Sequence, residues 1–308
     1  MAVINGDNGN NTLLGTNDGD LINGFAGDDF INARGGNDRV MGGLGNDRIH
    51  GKDGQDRLYG DNGSDLIFGG NDDDKVYGGN GNDDLHGGRG RDLIHGGNGD
   101  DELCGDDGDD NLHGDNGRDL LHGCDGDDRI CGDDGDDSVY GDRGKDVLHG
   151  CNGNDRIYGG NDADRLYGDA GRDWLEGGNG NDALYGGAGN DTLVGGAGKD
   201  SLDGGAGRDI FDFNALSEMG LTSSTWDVIN DFVRGQDKID LSTLDANTTA
   251  GGDNAFTTLL TGATDFSAAG QLRFDSGVLY GNVDNDTGAE FAIALTGITT
   301  LALSDVIA

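Results

Sequence analysis

The sequence predicts an all-β solenoid of 18 residues per coil, closed at its C-terminal end by a small β-rich cap. Three observations lead there. A nine-residue pattern repeats without insertion or deletion from Gly6 to Asp212. One position in each nine is aliphatic with variable neighbours on both sides, as in a very short strand with one side inward. The pattern then stops, and residues 213–308 carry strand-like runs between Gly-rich turns.

Residues 1–5 are a short lead. From there, 23 blocks fill 6–212, for example GGLGNDRIH (42–50), GGNGDDELC (96–104) and GCNGNDRIY (150–158). The first position is Gly except at Ala33, and the fourth is Gly except at Asp18, Asp72 and Asp162. The sixth is Asp except at Asn11, and the eighth is Leu, Ile or Val, with Phe211 in the last block. Glycine permits positive φ and close backbone approach, so GGxG reads as a tight turn. The x-U-x that follows reads as a three-residue strand, its middle side chain inward. Six turn residues and three strand residues make half a coil, so residues n and n+18 stack about 4.8 Å apart.

Periodicity overturns what composition suggests. The chain has 64 Gly in 308 residues, no Pro, 33% apolar residues and a net charge of −40. Scattered, that composition would read as disorder; in register, the glycines are turn residues. No apolar run is long enough for a transmembrane helix. The N-terminus lacks the basic and apolar regions of a Sec-type signal peptide. A chain this acidic is repelled by phosphate, so no nucleic-acid partner is expected.

The same stacking aligns carboxylates. Asp20, Asp38, Asp56, Asp74, Asp92, Asp110, Asp128, Asp146, Asp164, Asp182 and Asp200 line one edge. Asp29, Asp47, Asp65, Asp83, Asp101, Asp119, Asp137, Asp155, Asp173, Asp191 and Asp209 line the other. Carboxylates about 5 Å apart repel by roughly 3 kcal/mol per pair at an effective dielectric near 20. Such ladders call for a multivalent cation. The available ligands, carboxylates and turn carbonyls, are all oxygen and suit Ca²⁺ better than Mg²⁺ or Zn²⁺.

These blocks resemble the GGxGxDxUx nonapeptides of the RTX (repeats-in-toxin) family, known as a calcium-binding repeat. The resemblance implies a right-handed parallel β-roll with one Ca²⁺ between loops that neighbour each other in a stack, held by sixth-position Asp and turn carbonyls. Twenty-three loops leave 21 such gaps, a ceiling of 21 ions. The repeats carry 47 acidic and 17 basic residues, so 15 ions neutralise their net charge of −30, and 20 ions neutralise the whole chain. One buried aliphatic per nine residues is a thin core, and the glycines make ordering costly. The roll is therefore expected to be unfolded without calcium. The Asp replacing turn Gly at 18, 72 and 162 are expected to distort their loops, and the block with Asn11 to fray.

Residues 213–308 form the capping and secretion-signal segment, with strand-like runs at Asp227–Phe232, Gln271–Phe274, Gly277–Asn282 and Ala289–Thr296. The stretches 227–242 and 271–297 resemble the C-terminal domain of serralysin-type secreted metalloproteases. The ending Ser304-Asp305-Val306-Ile307-Ala308 resembles the uncleaved C-terminal signal of type I secretion substrates, which implies export through that machinery and folding outside the cell. Asp284-Asn285-Asp286-Thr287-Gly288, with Glu290 beyond, starts like a calcium loop but is too short for its 12-residue spacing, so a polar hairpin turn is expected.

No enzyme is expected. The zinc motif H-E-x-x-H and the serine motif G-x-S-x-G are both missing. All six His (50, 86, 95, 113, 122, 149) occupy position nine, on the outward face. His95, His113, Cys131 and His149 stack in one column, and His86, Cys104 and His122 in the opposite one. Position nine takes His and Tyr because both suit an exposed strand face, although such columns could also capture Zn²⁺, Ni²⁺ or Cu²⁺. Cys104 and Cys131 are at position nine, Cys124 and Cys151 at position two. Cys104 with Cys151 and Cys124 with Cys131 both miss the disulfide window, so four free thiols are expected.

The leading functional expectation is a secreted, extracellular calcium-binding protein with a matrix, adhesion or host-contact role toward polysaccharide or a cell surface. It is similar to nodulation-type secreted calcium-binding proteins of rhizobia, and the Met five residues before the first repeat favours it. The alternative is a non-catalytic RTX module of a serralysin-like protease, a lipase or a polysaccharide-modifying enzyme. A pore former would need an apolar insertion segment, and none of useful length is seen. Ice binding would want a Thr ladder, whereas the blocks contain only Thr12, Thr16 and Thr192.

Overall fold

A computed structural model describes residues 1–247, 254–284 and 286–308. It divides into two compact units, Met1–Arg156 and Ile157–Ala308. Among the described residues every regular element is a strand, apart from the 3-10 turns Leu216–Glu218 and Leu303–Asp305.

In the N-terminal unit the nine-residue period becomes two parallel sheets. Val3–Asn5 pairs with Leu21–Ala26, which pairs with Arg39–Leu44, and so on at steps of 18. The second sheet interleaves, starting with Thr12–Leu14 on Phe30–Gly35 and then Arg48–Asp53. Eighth-position side chains face each other between the sheets. Ile22, Ile31, Val40, Ile49, Leu58 and their successors are fully buried. Period-two alternation and an 18-residue coil are both as the sequence predicts.

The strands are twice as long as expected. From Leu21–Ala26 through Val147–Asn152 each has six residues, covering positions seven to nine and the first three of the next block. Only positions four to six form the corner. The first-position glycine explains the extension. A Cβ on Gly60 would collide with Asp65 Oδ2 and lie 2.6 Å from the Gly78 carbonyl oxygen, so the glycine there lets the coils approach. Position two then takes a positive φ without breaking the ladder. It does so even where it is Phe25 (φ 78), Lys52 (φ 90) or Asp133 (φ 71), at a cost of roughly 1–2 kcal/mol for a side-chain-bearing residue.

Position four turns the corner, also at positive φ. Asp72 (φ 77) and Asp162 (φ 75) adopt the conformation of the glycines they replace, so those two loops are not distorted as expected; Asp tolerates this region better than most residues. At Gly63 (φ +128) an added Cβ would strike the Gly45 carbonyl. Gly63→Ala should cost about 2 kcal/mol or more, read as a lower thermal midpoint in saturating calcium. Exposed Ser64→Ala should stay within about 0.5 kcal/mol.

The C-terminal unit is wound the same way, with Ala183–Gly189 on Ser201–Gly207 and Thr192–Gly198 on Ile210–Asp212. Parallel stacking does not stop at Asp212. Asp227–Ile229 adds to Ser201–Gly207, and Lys238–Asp240 adds to Ile210–Asp212. Val306–Ile307 then covers Lys238–Asp240. Beside Asp227–Ile229 lies Phe291–Leu295, the last strand of an antiparallel meander with Gln271–Asp275 and Val278–Asn282. Phe211, Phe213, Phe256, Phe274, Leu279 and Phe291 supply its core. The meander strands match three of the predicted runs. Lys238–Asp240, Thr258–Thr261 and Val306–Ile307 were not predicted.

Candidate metal centre

Each sixth-position Asp follows the corner glycine and precedes the strand, so the backbone fixes its carboxylate between coils. All 22 predicted ladder residues, Asp20 to Asp209, are at most 3% exposed. Their Oδ1 atoms share one role. Within the N-terminal unit Oδ1 accepts the backbone N–H of the sixth residue one coil earlier, at 2.6 Å from Asp20 to Asp38, 2.7 Å from Asp38 to Asp56 and 2.9 Å from Asp137 to Asp155. In the C-terminal unit Asp164 donates to Asp182 at 2.9 Å and Asp191 to Asp209 at 3.0 Å.

The second oxygen is different. Oδ2 is buried with no hydrogen-bond donor in Asp29, Asp38 and each ladder residue on through Asp137, and in Asp182, Asp191, Asp200 and Asp209. It lies against the first-position glycine of its own block, where a main-chain carbonyl of the next coil also converges, as at Gly60 with Asp65 and Gly78. Asp20, in the first coil, is the exception: its Oδ2 accepts the Thr16 backbone N–H and hydroxyl, both at 2.8 Å.

A buried acceptor without a donor is costly as an anion. Burial therefore raises the carboxyls from Asp38 through Asp137 above the usual range, opposed by the single N–H and in most of them reinforced by neighbouring carboxylates. Asp47 rises to about 6, Asp65 and Asp101 to about 7, and Asp74, Asp110 and Asp119 to about 8. Asp20 moves the other way, because the Ala2 and Thr16 N–H groups stabilise its charge. The fold thus repeats one site: a buried carboxylate oxygen beside backbone carbonyls, with no proton donor and no basic side chain assigned to it. An all-oxygen set of this kind fits a hard divalent cation.

Two members of the ladder escaped the nine-residue reading. Asp227 Oδ1 accepts the Asp200 N–H at 2.8 Å, and its Oδ2 is buried and undonated. Burial pushes Asp227 up to about 8. Asp237 accepts the Asp209 N–H at 3.2 Å, and its Oδ2 is satisfied by the Val233 N–H at 2.6 Å. The signal was present: Asp227-Val228-Ile229-Asn230 and Asp237-Lys238-Ile239-Asp240 both repeat D-x-U-x, displaced by the insertion 213–226.

The position-nine columns form as predicted. His95 pairs with His113, His113 with Cys131, and Cys131 with His149; His86 pairs with Cys104, and Cys104 with His122. These side chains are half-buried rather than exposed. The expectation of four free thiols is wrong. Cys131 and Cys151 form a disulfide with Cα atoms 6.7 Å apart, while Cys104 and Cys124 remain thiols. The productive pairing is diagonal, from position nine to position two of the next coil, 20 residues on. Asp284–Glu290 connects two antiparallel strands, as expected for a hairpin turn; Asn285 lies outside the described residues.

A family model described as the Peptidase M10 serralysin C terminal matches residues 14–308. Among solved structures, the chain is similar to the AlgE6R3 subunit of the Azotobacter vinelandii mannuronan C5-epimerase. Identity is 32%, covering 48% of this chain and 78% of that one, with a TM-score of 0.36. The AlgE6R2 subunit of the same epimerase is 26% identical, covering 57% of this chain and 90% of that one, with a TM-score of 0.31. No curated protein matches.

Proposed function

The chain belongs to the family of M10 serralysin C-terminal domains, and on that premise we propose that it is a calcium-dependent β-roll that folds on binding many Ca²⁺ ions after type I export. The repeated buried, undonated Oδ2 carries the reading. The ions would be held by the sixth-position Asp from Asp29 to Asp209, joined by Asp227, together with corner carbonyls, while Asp20, whose Oδ2 already accepts two hydrogen bonds, is the weakest of the expected ligands. Calcium supplies positive charge where the fold provides a carboxylate oxygen and no donor. The residues themselves set the coil spacing through Oδ1 and keep bulk away from Oδ2 with first-position glycines.

The role is non-catalytic and extracellular, in matrix, adhesion or host contact. The chain offers an acidic, regularly spaced surface that a polysaccharide or cell-surface ligand would meet through bound cations. Export through the C-terminus is part of this reading, supported by the family and by the acidic-apolar segment Asp305-Val306-Ile307-Ala308. The alternative, a non-catalytic module of a protease, lipase or polysaccharide-modifying enzyme, uses the same ladders.

The test is a count. Equilibrium dialysis of the full chain at millimolar calcium, with metal analysis, should find on the order of 20 Ca²⁺ per chain, near the repeat ceiling. A stoichiometry below about five would overturn the proposal.

A further inference from the structure

The outward face of the N-terminal unit holds a second donor set, different in chemistry from the ladders. Position-nine side chains there meet position two of the next coil. His95 Nδ1 lies 3.2 Å from Asp115 Oδ2, and His113 Nδ1 lies 3.1 Å from Asp133 Oδ2. On the same diagonal Cys131 is bonded to Cys151. Cys104 and Cys124 repeat that diagonal with their sulfurs 2.9 Å apart and no bond between them. Their surroundings add two more ligand types. Cys104 Sγ is 3.2 Å from Asp106 Oδ1, and His86 Nδ1 is 3.5 Å from Asp106 Oδ2. Ligand atoms of His86, Cys104 and Asp106 all fall within 4.8 Å of one another.

We propose that His86, Cys104, Asp106 and Cys124 form a binding site for a borderline-soft divalent transition metal, with Zn²⁺ as the type ion. Two sulfurs, one imidazole and one carboxylate match a four-coordinate zinc set, with Zn–S near 2.3 Å and Zn–N and Zn–O near 2.0–2.2 Å. Two thiolates on a tetrahedral ion sit about 3.8 Å apart, so the sulfurs must open by about 0.9 Å, a rotamer adjustment on fixed strands. The four residues lie on three successive strands of one sheet, Asp84–Arg89, Glu102–Asp107 and Leu120–Asp125, whose register sets His86 beside Cys104 and Asp106 beside Cys124. The ion would therefore clamp three coils. Calcium does not compete for thiolate and imidazole. The equivalent cluster His113, Cys131 and Asp133 has lost its thiolate to the Cys131–Cys151 bond, so one site is expected, not two.

The site requires only the folded roll, so it stands or falls separately from the calcium count. The probe is Co²⁺ followed by Zn²⁺, added under nitrogen to the full chain held folded in calcium. One Co²⁺ per chain should give a thiolate-to-metal charge-transfer absorption, displaced by one equivalent of Zn²⁺. Cys104→Ser should abolish the band, and His86→Ala should weaken Zn²⁺ by more than about tenfold. The double variant Cys131→Ser, Cys151→Ser should keep it. Far-UV circular dichroism in calcium checks that each variant is folded. No thiolate band in the wild-type protein, or a band that survives in folded Cys104→Ser, overturns the proposal.

Discussion

Excess chelator is expected to remove most of the β-sheet circular dichroism of the full chain, and millimolar calcium to restore it. The physical reason lies in what each coil buries. A coil has two eighth-position aliphatics, such as Leu103 and Leu112, and two sixth-position carboxylates, such as Asp101 and Asp110. The aliphatics contribute about 1.5–3 kcal/mol each. Against them stand 18 ordered residues at about 1–2 kcal/mol of backbone entropy apiece, and two desolvated oxygens with no donor. Calcium at ten to a hundred times its Kd adds about 1.4–2.7 kcal/mol per site. Over some 20 sites that is on the order of 30–50 kcal/mol, well beyond the 5–15 kcal/mol of an ordinary domain. A spectrum that stays near-native in chelator would refute this account.

The second large effect is on pH, and it should reverse sign with calcium. Ladder carboxyls have folded pKa values raised from 3.8 to about 6 at Asp83 and Asp92, about 7 at Asp56 and Asp137, and about 8 at Asp74 and Asp110. A group whose pKa is raised on folding holds more protons in the folded state. Its stabilising contribution is complete below the unfolded value near 4, and is lost as pH rises through 6–8. Calcium-free protein should therefore gain β-structure on acidification from pH 8 toward 4, with a midpoint inside the 6–8 window. In calcium the carboxylates must be ionised to bind, so acid should weaken binding over that same window. A proton thus replaces the missing cation at Oδ2. If the calcium-free protein gains structure only below about pH 5, surface carboxylates rather than the ladders are responsible.

Much of this was legible in the sequence because the repeat writes one physical demand 23 times. Fixed Asp, fixed Gly and one aliphatic in nine gave the 18-residue coil, the inward row from Ile22 to Phe211, and the ladder residues. What escaped depends on relations that a linear period does not display. The six-residue strands arise because Gly60 and its equivalents let the chain pass a neighbouring carbonyl and continue pairing. The Cys131–Cys151 bond joins residues 20 apart, one coil plus two positions, a diagonal invisible to a search along columns or within blocks. Asp227 and Asp237 were hidden by the insertion that breaks the period, although their D-x-U-x surroundings were intact.

The ladder hydrogen bonds also have a direction. Within each unit, sixth-position N–H groups such as those of Asp29, Asp101 and Asp182 point to a carboxylate in the coil that follows. At the C-terminal end the last repeats still find that acceptor, because Asp200 donates to Asp227 and Asp209 to Asp237. The main chain answers in the opposite direction, for the next residue's N–H, as at Arg39 and Arg48, donates to the carbonyl of Asp20 or Asp29 in the coil before. Trimming the chain behind the repeats would therefore strip the Asp200 and Asp209 N–H groups of their carboxylates, an open end that residues 227–237 otherwise close.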